Sequence, residues 1–350
     1  MGKSGIDLSQ ACSGHDGFTV GPHRLPNRVL LAPMASITDL PFRKVAARFG
    51  AGLVISEMIA SEWLAAGDPV AALRAESEGV GLHVVQLAGC EARWLAEGAR
   101  VAEAAGADII DINMGCPAKH VTSGQAGAAL LRDLDHATKL IEAAINTVRV
   151  PVTLKMRLGW DENSIVAPEL ARRAEIAGVA MIAVHGRTRC QFYQGRADWS
   201  AIARVKAAVN IPVVANGDLQ SCDDARAMLE ESGADAVMVG RSARGRPWFP
   251  GQIAKFLQTG IRPSDPPAHV QRDVLLELHD AWLSRYGSTR GIREARKHVG
   301  WALEALAVSC GYSANWLKVW RARLITEVSP ALVARGIREA FDDVEWKAAA

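Results

Sequence analysis

The chain holds 350 residues, 49% of them apolar and 22% charged, with a formal net charge of +2. That length supports one large core and a smaller one, and so balanced a charge excludes a polyanion-binding surface taken as a whole, leaving only local clusters to provide one. No apolar run approaches the roughly 20 residues of a membrane span, and the opening Met1–Ile6 fits neither a signal-peptide core nor a myristoylation site, so no membrane contact and a cytoplasmic location are expected.

Residues 1–20 are polar and glycine-rich and read as a flexible tail. Short β-branched runs then recur, each followed by an alanine- and charge-rich stretch with helical spacing. The runs are Val29–Pro33, Leu53–Ser56, His83–Leu87, Ile109–Asn113, Val152–Met156, Met181–His185, Val213–Asn216 and Ala236–Gly240. Near-continuous apolar strands alternating with helices imply a parallel sheet covered on both faces. Eight such units predict a (β/α)8 TIM barrel over residues 21–260. A doubly wound sheet is the competitor, but it seldom needs eight regular units. After Trp248 the strand-like runs stop, and Arg262–Pro267 reads as a proline-stiffened linker. From there to residue 345 the spacing of Val274, Leu275, Leu278, Trp282, Val299, Leu303 and Leu306 predicts a small all-α helical bundle.

In a barrel the C-terminal strand ends share one mouth. The first delivers Pro33-Met34-Ala35, the third Gln86, and the fourth Asn113 with Cys116 on a glycine-proline-framed loop. The fifth gives Lys155 and Arg157, the sixth His185 and Arg187, the seventh Asn216-Gly217-Asp218, and the eighth Gly240-Arg241. Polar side chains inside apolar strand ends are costly unless partnered, so their convergence points to a polar ligand. The glycines of the last two ends let backbone amides approach an anion, at the positions where barrels bind phosphate. Cys116 reads either as a reactive thiol or as a small buried hydrophobe. The six cysteines are scattered with no C-x-x-C pair, so neither a metal site nor a disulfide framework is expected.

Taken together, Pro33–Arg43, Asn113–Pro117, Lys155-Met156-Arg157, His185-Gly186-Arg187-Thr188, Asn216-Gly217-Asp218 and Gly240–Trp248 resemble the tRNA-dihydrouridine synthases, in the same order and over residues 20 to 340. Ala118-Lys119 and Gly124–Gly127 look most like the bacterial B-type branch, which includes proteins labelled nitrogen-regulation proteins. Ser36 stands where that family usually has glycine, and His120 where a second lysine is common. The resemblance implies a barrel that holds flavin mononucleotide (FMN). Pro33, Met34 and Ala35 would border its ring, and Gln86 and Lys155 would meet its polar edge. Asn216, Gly217, Asp218, Gly240, Arg241 and His185 would hold its ribityl phosphate. It further implies NADPH (or NADH) as reductant, Cys116 as general acid, and reduction of a uridine in the D-loop of tRNA by a monomer.

The bundle carries a candidate RNA face. Arg285, Arg290, Arg293, Arg296, Lys297, Lys318, Arg321 and Arg323 outnumber Glu294 and Glu304 between residues 285 and 323, an excess suited to phosphate contacts. Trp301, Tyr312, Trp316 and Trp320 interleave with it but read mostly as bundle core. Two other functions remain open on the residues: an FMN-dependent dehydrogenase of free pyrimidines, of dihydroorotate or dihydropyrimidine type, and a non-catalytic RNA-binding regulator.

Overall fold

A computed structural model describes residues 17–349, with side chains as far as Asp342. The expected tail at residues 1–16 lies outside them. Residues 17–20 are not part of a tail, because β1 (Thr19–Val20) pairs antiparallel with β2 (His23–Arg24). Nine further strands follow: β3 (Val29–Leu31), β4 (Leu53–Val54), β5 (Ile59–Ala60), β6 (Val84–Ala88), β7 (Ile109–Met114), β8 (Val152–Arg157), β9 (Met181–His185), β10 (Val213–Asn216) and β11 (Ala236–Val239). All pair in parallel, in the order β4-β3-β11-β10-β9-β8-β7-β6-β5. The two ends of that order are one stretch of chain. β4 pairs with β3, the Ser56 amide donates to Val84 O at 3.0 Å, and β5 pairs with β6. The sheet is therefore the expected TIM barrel, its second strand interrupted at residues 55–58.

Helices cover the outside: α1 (Leu40–Arg48), α2 (Ser61–Ala65), α3 (Pro69–Ala75), α4 (Ala92–Ala104), α5 (Lys119–Thr122), α6 (Leu134–Ile145), α7 (Ala167–Ala177), α8 (Trp199–Lys206), α9 (Cys222–Ser232) and α10 (Phe249–Thr259). Their starts are written locally. Asp39, Asp133, Asp198 and Ser221 accept amides of the first turns of α1, α6, α8 and α9, and Gly178, Gly233 and Gly260 close α7, α9 and α10 in the left-handed conformation.

Strand periodicity sorts the barrel into layers. Val29, Leu31, Val85, Leu87, Ile110 and Ile112 face the helices in the larger core. Leu30, Val84, Ile109, Met181, Val214 and Ala236 fill the lumen, joined by Val20 and Leu25 from the β1–β2 hairpin. Two residues beyond Val84, Ile109 and Val214 come Gln86, Asp111 and Asn216, so on these strands the lumen turns from apolar to polar toward the C-terminal ends.

Three helices complete the chain: α11 (Ala268–Ser309), α12 (Ala314–Thr326) and α13 (Pro330–Ala349). Gly287, at φ 74° and ψ 166°, breaks α11 into two helices. Leu303, Leu306, Trp316, Leu324, Ile337 and Phe341 form their core. Trp282, Leu278 and Val274 instead pack with Val45 and Trp248 of the barrel. This seam is also polar. Asp39 Oδ2 accepts from Trp282 Nε1 at 2.9 Å and from the Tyr286 hydroxyl at 3.0 Å, Arg285 pairs with Glu76 at 2.6 Å, and Arg48 grips Glu277 with two nitrogens.

Candidate active site at the barrel mouth

The polar layer of the lumen is a connected network. Asp111 accepts from Gln86 Nε2 and from Thr153 Oγ1, both at 2.6 Å. Asn113 Nδ2 donates to Gln86 Oε1 at 2.9 Å, while Asn113 Oδ1 accepts the amides of Gly115 and Cys116 at 3.1 and 2.9 Å. The chain Asp111–Gln86–Asn113 thus hands its order to the loop that carries Cys116. Burial pushes the Asp111 carboxyl up, against its hydrogen bonds from Thr153 and Gln86. Arg157 Nε donates to Gly115 O at 2.9 Å and fixes the same loop from β8. Cys116 itself is half-buried.

Opposite this loop, a cleft of about 450 Å³ opens between the ends of β3, β8, β9, β10 and β11. Pro33, Met34, Lys155, His185, Asn216, Gly217, Asp218, Gly240 and Arg241 all line it. Ala35, Gln86 and Cys116 do not. Ala35 is exposed beyond its wall, and Gln86 lies wholly buried with its amide spent on Asp111 and Asn113. Gln86 thus lies beneath the cleft rather than in its wall.

The cleft is cationic. Lys155 Nζ donates to Asn216 Oδ1 at 3.2 Å, and burial followed by the neighbouring Arg157 brings its ammonium down to about 8. Burial and then Arg157, Lys155, Arg187 and Arg241 hold His185 well below the usual imidazole range, so it is neutral at physiological pH. Asp218 meets Arg187 at 2.5 Å, accepts the Ala197 amide at 2.8 Å and lies 3.6 Å from Arg241. Its carboxylate, held below the usual range by these partners against its own burial, is thereby committed to bracing the wall. Its backbone is what remains for a ligand. Among the described residues, no protein acceptor takes the amides of Gly217, Asp218, Gly240 or Arg241. Gly217 is required at this point: φ is 121°, and a side chain would meet Ala197 Cβ at 2.6 Å and His185 Cδ2 at 3.0 Å.

Three further side chains shape the mouth. Tyr193 lines the cleft with Arg241 4.7 Å from its ring centroid and Arg157 at 5.4 Å, a cation–π arrangement that holds the aromatic over the mouth. Arg187, almost wholly buried, ties the Gln194 and Gly195 carbonyls of the same loop to Asp218. Glu57 accepts the amide of Ser36, whose φ of 59° explains why glycine suits that position. Arg187 and Glu57 stand at polar strand ends that the sequence already offers, the sixth and the second, whereas Tyr193 lies in a loop with no strand, helix or motif to single it out.

The bundle's basic run is mostly occupied. Arg285 is bound to Glu76 across the seam, Lys297 to Glu294, Arg321 to Glu304 and Arg323 to Glu339, with Arg290 at 4.0 Å from Glu294. The excess over acid read from the sequence is therefore smaller in space, because Glu76 and Glu339 come from outside the run. Arg293 and Lys318 remain exposed with no ion pair among the described residues. Trp316 is core, Tyr312 and Trp320 pack against it, and Trp301 carries Arg244 4.9 Å from its ring centroid.

An α/β barrel whose mouth sets amides without a protein acceptor at the last two strands, cations around them and a thiol at the fourth has the layout of a barrel enzyme with an anion-suited cleft. The dihydrouridine synthase (Dus) family matches residues 30–322. The chain is 52% identical over 324 residues to a probable tRNA-dihydrouridine synthase of Rhodobacter capsulatus, covering 92% of this chain and 97% of that one. It is 48% identical over 283 residues to tRNA-dihydrouridine synthase B of Xanthomonas axonopodis pv. citri, with 81% and 85% covered. Among solved structures, histamine dehydrogenase from Rhizobium sp. 4-9 shares the fold at a TM-score of 0.54 and 14% identity, over 77% of this chain and 50% of that one. Morphinone reductase does so at 0.50 and 16%, over 71% and 91%. The chain belongs to the dihydrouridine synthase family, and with it to the oxidoreductases of tRNA dihydrouridine synthesis. No helix among the described residues is long and apolar enough to cross a membrane, and no cluster of metal-ligating side chains occurs among them.

Proposed function

We propose that the chain reduces a uridine in the D-loop of tRNA to 5,6-dihydrouridine, with FMN as resident cofactor, NADPH or NADH as reductant, and Cys116 as proton donor. The observation that carries this is the junction of two half-sites in one mouth: an anchored thiol loop on β7, and a cationic cleft with free amides on β10 and β11. The cleft fits FMN. Its volume suits a ligand of that size, its unbonded amides suit a phosphate, and its Lys155 ammonium has no carboxylate ion pair among the described residues.

When bound, FMN supplies the hydride that goes to C6 of the uracil ring and is reduced again by the nicotinamide. The chain's residues do the rest. Gly217, Asp218, Gly240 and Arg241 hold the phosphate through main-chain amides and one guanidinium, with His185 beside them. Pro33 and Met34 give the ring an apolar border. Lys155, a cation at pH 7, stabilises negative charge at the ring's polar edge, and an anion bound there would raise its proton affinity further. Cys116 delivers its thiol proton to C5 from the opposite face, which completes addition of a hydride and a proton across the C5–C6 double bond. That role needs the thiol rather than the thiolate. The uridine must leave its stack to reach so recessed a mouth, and the exposed Arg293 and Lys318 are available to hold the surrounding backbone.

Mapping dihydrouridine by mass spectrometry in tRNA from cells lacking the chain, with and without its restoration, tests the reading. One restored position in the D-loop is expected. Efficient reduction of free uracil, or a purified protein that carries no flavin, would overturn it.

A further inference from the structure

A second recess of the mouth shares no lining residue with the phosphate cleft. It measures about 430 Å³ and lies at the ends of β5 and β6, between Trp63, Trp94, Glu62, Glu91 and the loop at 120–126. That loop is the continuation of the one carrying Cys116, folded back so that the Ala128 amide donates to Cys116 O at 3.0 Å. The wall of the recess is therefore continuous with the loop that carries Cys116.

Its walls are specific. Trp63 is 57% exposed, an indole that packs on little of its own protein. Trp94 is partly buried, with the Arg93 guanidinium 4.7 Å from its ring centroid. Ser61, two residues before Trp63 and also part of the lining, is only 1% exposed, and its buried Oγ has no hydrogen-bond partner. A side chain at Gly89 would meet that oxygen at 2.3 Å, so the hydroxyl occupies space that only glycine leaves. A buried hydroxyl without a partner is costly unless a ligand supplies one. Glu62 and Glu91 add exposed carboxylates at the recess. With Arg74 and His120 also in the lining and Glu91 paired with Arg93 at 3.0 Å, the recess is mixed in charge, unlike the cationic cleft, and its carboxylates can accept from the amino and ring N–H groups of a nucleobase. Aromatic faces for stacking, a buried hydroxyl and acidic acceptors together match an unstacked base.

We propose that this recess binds a nucleobase of the substrate RNA that neighbours the reduced uridine, extruded with it and stacked on the recess's tryptophans. This rests on the reading of the chain as a tRNA uridine reductase. The recess would then set which uridine is presented to Cys116.

The test uses the full chain with its cofactor and a tRNA transcript in which each D-loop nucleotide in turn is made abasic. With the parent protein, one abasic position beside the target uridine should weaken binding roughly 5- to 100-fold, the range for loss of one stacked base. Trp63→Ala should weaken binding of intact tRNA by a similar factor and lose sensitivity to that abasic position, whereas Trp63→Phe keeps both. Because Trp63 is largely exposed, its removal leaves the fold intact, and unchanged flavin content confirms this. Unaltered affinity and an unaltered abasic profile in Trp63→Ala, with dihydrouridine still formed, overturn the proposal alone. A raised KM for the nicotinamide with unchanged tRNA affinity assigns the recess to the reductant and also overturns it. Absence of tRNA binding by the parent overturns both this inference and the function it rests on.

Discussion

At the barrel mouth four cations, Lys155, Arg157, Arg187 and Arg241, gather around the carboxylates of Asp111 and Asp218. At the seam with the bundle the proportion is reversed: Asp39, Glu57, Glu76 and Glu277 are met by Arg43, Arg48 and Arg285. Seam charges are largely satisfied by one another and by Trp282, Tyr286 and main-chain groups. The mouth leaves a positive remainder in a recessed place, which costs stability until an anion arrives. Unbalanced charge there marks function, and balanced charge at the seam marks architecture.

That contrast can be broken most severely at the thiol. Cys116→Ala should lower dihydrouridine formation about 10²- to 10⁴-fold, the range for a positioned general acid, while flavin content and nicotinamide oxidation persist. Single-turnover assays on tRNA measure it, with Cys90→Ala and Cys310→Ala as controls; equal losses in all three would remove the special role of the fourth strand end. Next in size is Gly217→Val. Its left-handed φ and the 2.6 Å approach to Ala197 Cβ leave no room for a side chain, so a loss of about 2–3 kcal/mol in stability is expected, together with loss of bound flavin. Retention of a full complement of flavin would show that the β10 turn is not part of the anion site.

The seam should respond to pH. Burial, then Glu57, raises the Asp39 carboxyl to about 6, so the folded chain keeps a proton that the unfolded chain gives up near pH 4. Stability should accordingly fall as pH rises from about 4 to about 6, by about 1–3 kcal/mol from this group. Asp39→Asn should flatten that part of the profile. Denaturant midpoints from pH 4 to 7 decide it, and parallel profiles for the two proteins would assign the slope to other carboxylates. The smallest effect belongs to Arg293 and Lys318, two exposed cations of the bundle with no ion pair among the described residues. Arg293→Glu with Lys318→Glu should weaken tRNA binding several-fold and reduce its salt slope by about two, one per lost phosphate contact. Reversal of Arg285 should instead destabilise the seam. Filter binding at two salt concentrations separates the two, and a double variant with the parent's slope would place the RNA face elsewhere.

Much of this molecule could be read in one dimension. Strand runs such as Met181–His185 and Val213–Asn216 are written in apolar and β-branched residues, and their polar ends identify the mouth because period two carries the lumen face from Met181 and Ala183 to His185 and from Val214 to Asn216. What was hidden depends on partners distant in sequence. Gln86 could be placed at the mouth, but not its commitment to Asp111 and Asn113, which come from the next strand. The ion pairs of Arg285 and Arg323 join residues whose separation no local pattern reveals. Gly287 gave no warning that it divides α11, since a lone glycine is tolerated in many helices. Tyr193 lies on a loop whose shape follows from Arg187 and Asp218 rather than from its own sequence.

The interrupted second strand has a kinetic consequence. β4 and β5 each contribute only two residues of pairing, against five between β8 and β9, and the gap between them is bridged by the Ser56 amide. The hoop of the barrel thus has one thin stave, where local opening costs least and amide hydrogens exchange first. The gap also carries Glu57, which secures Ser36 at the lip of the cleft. Opening at that stave would loosen the Pro33–Ser36 edge while the longer pairing of β7, β8 and β9 holds.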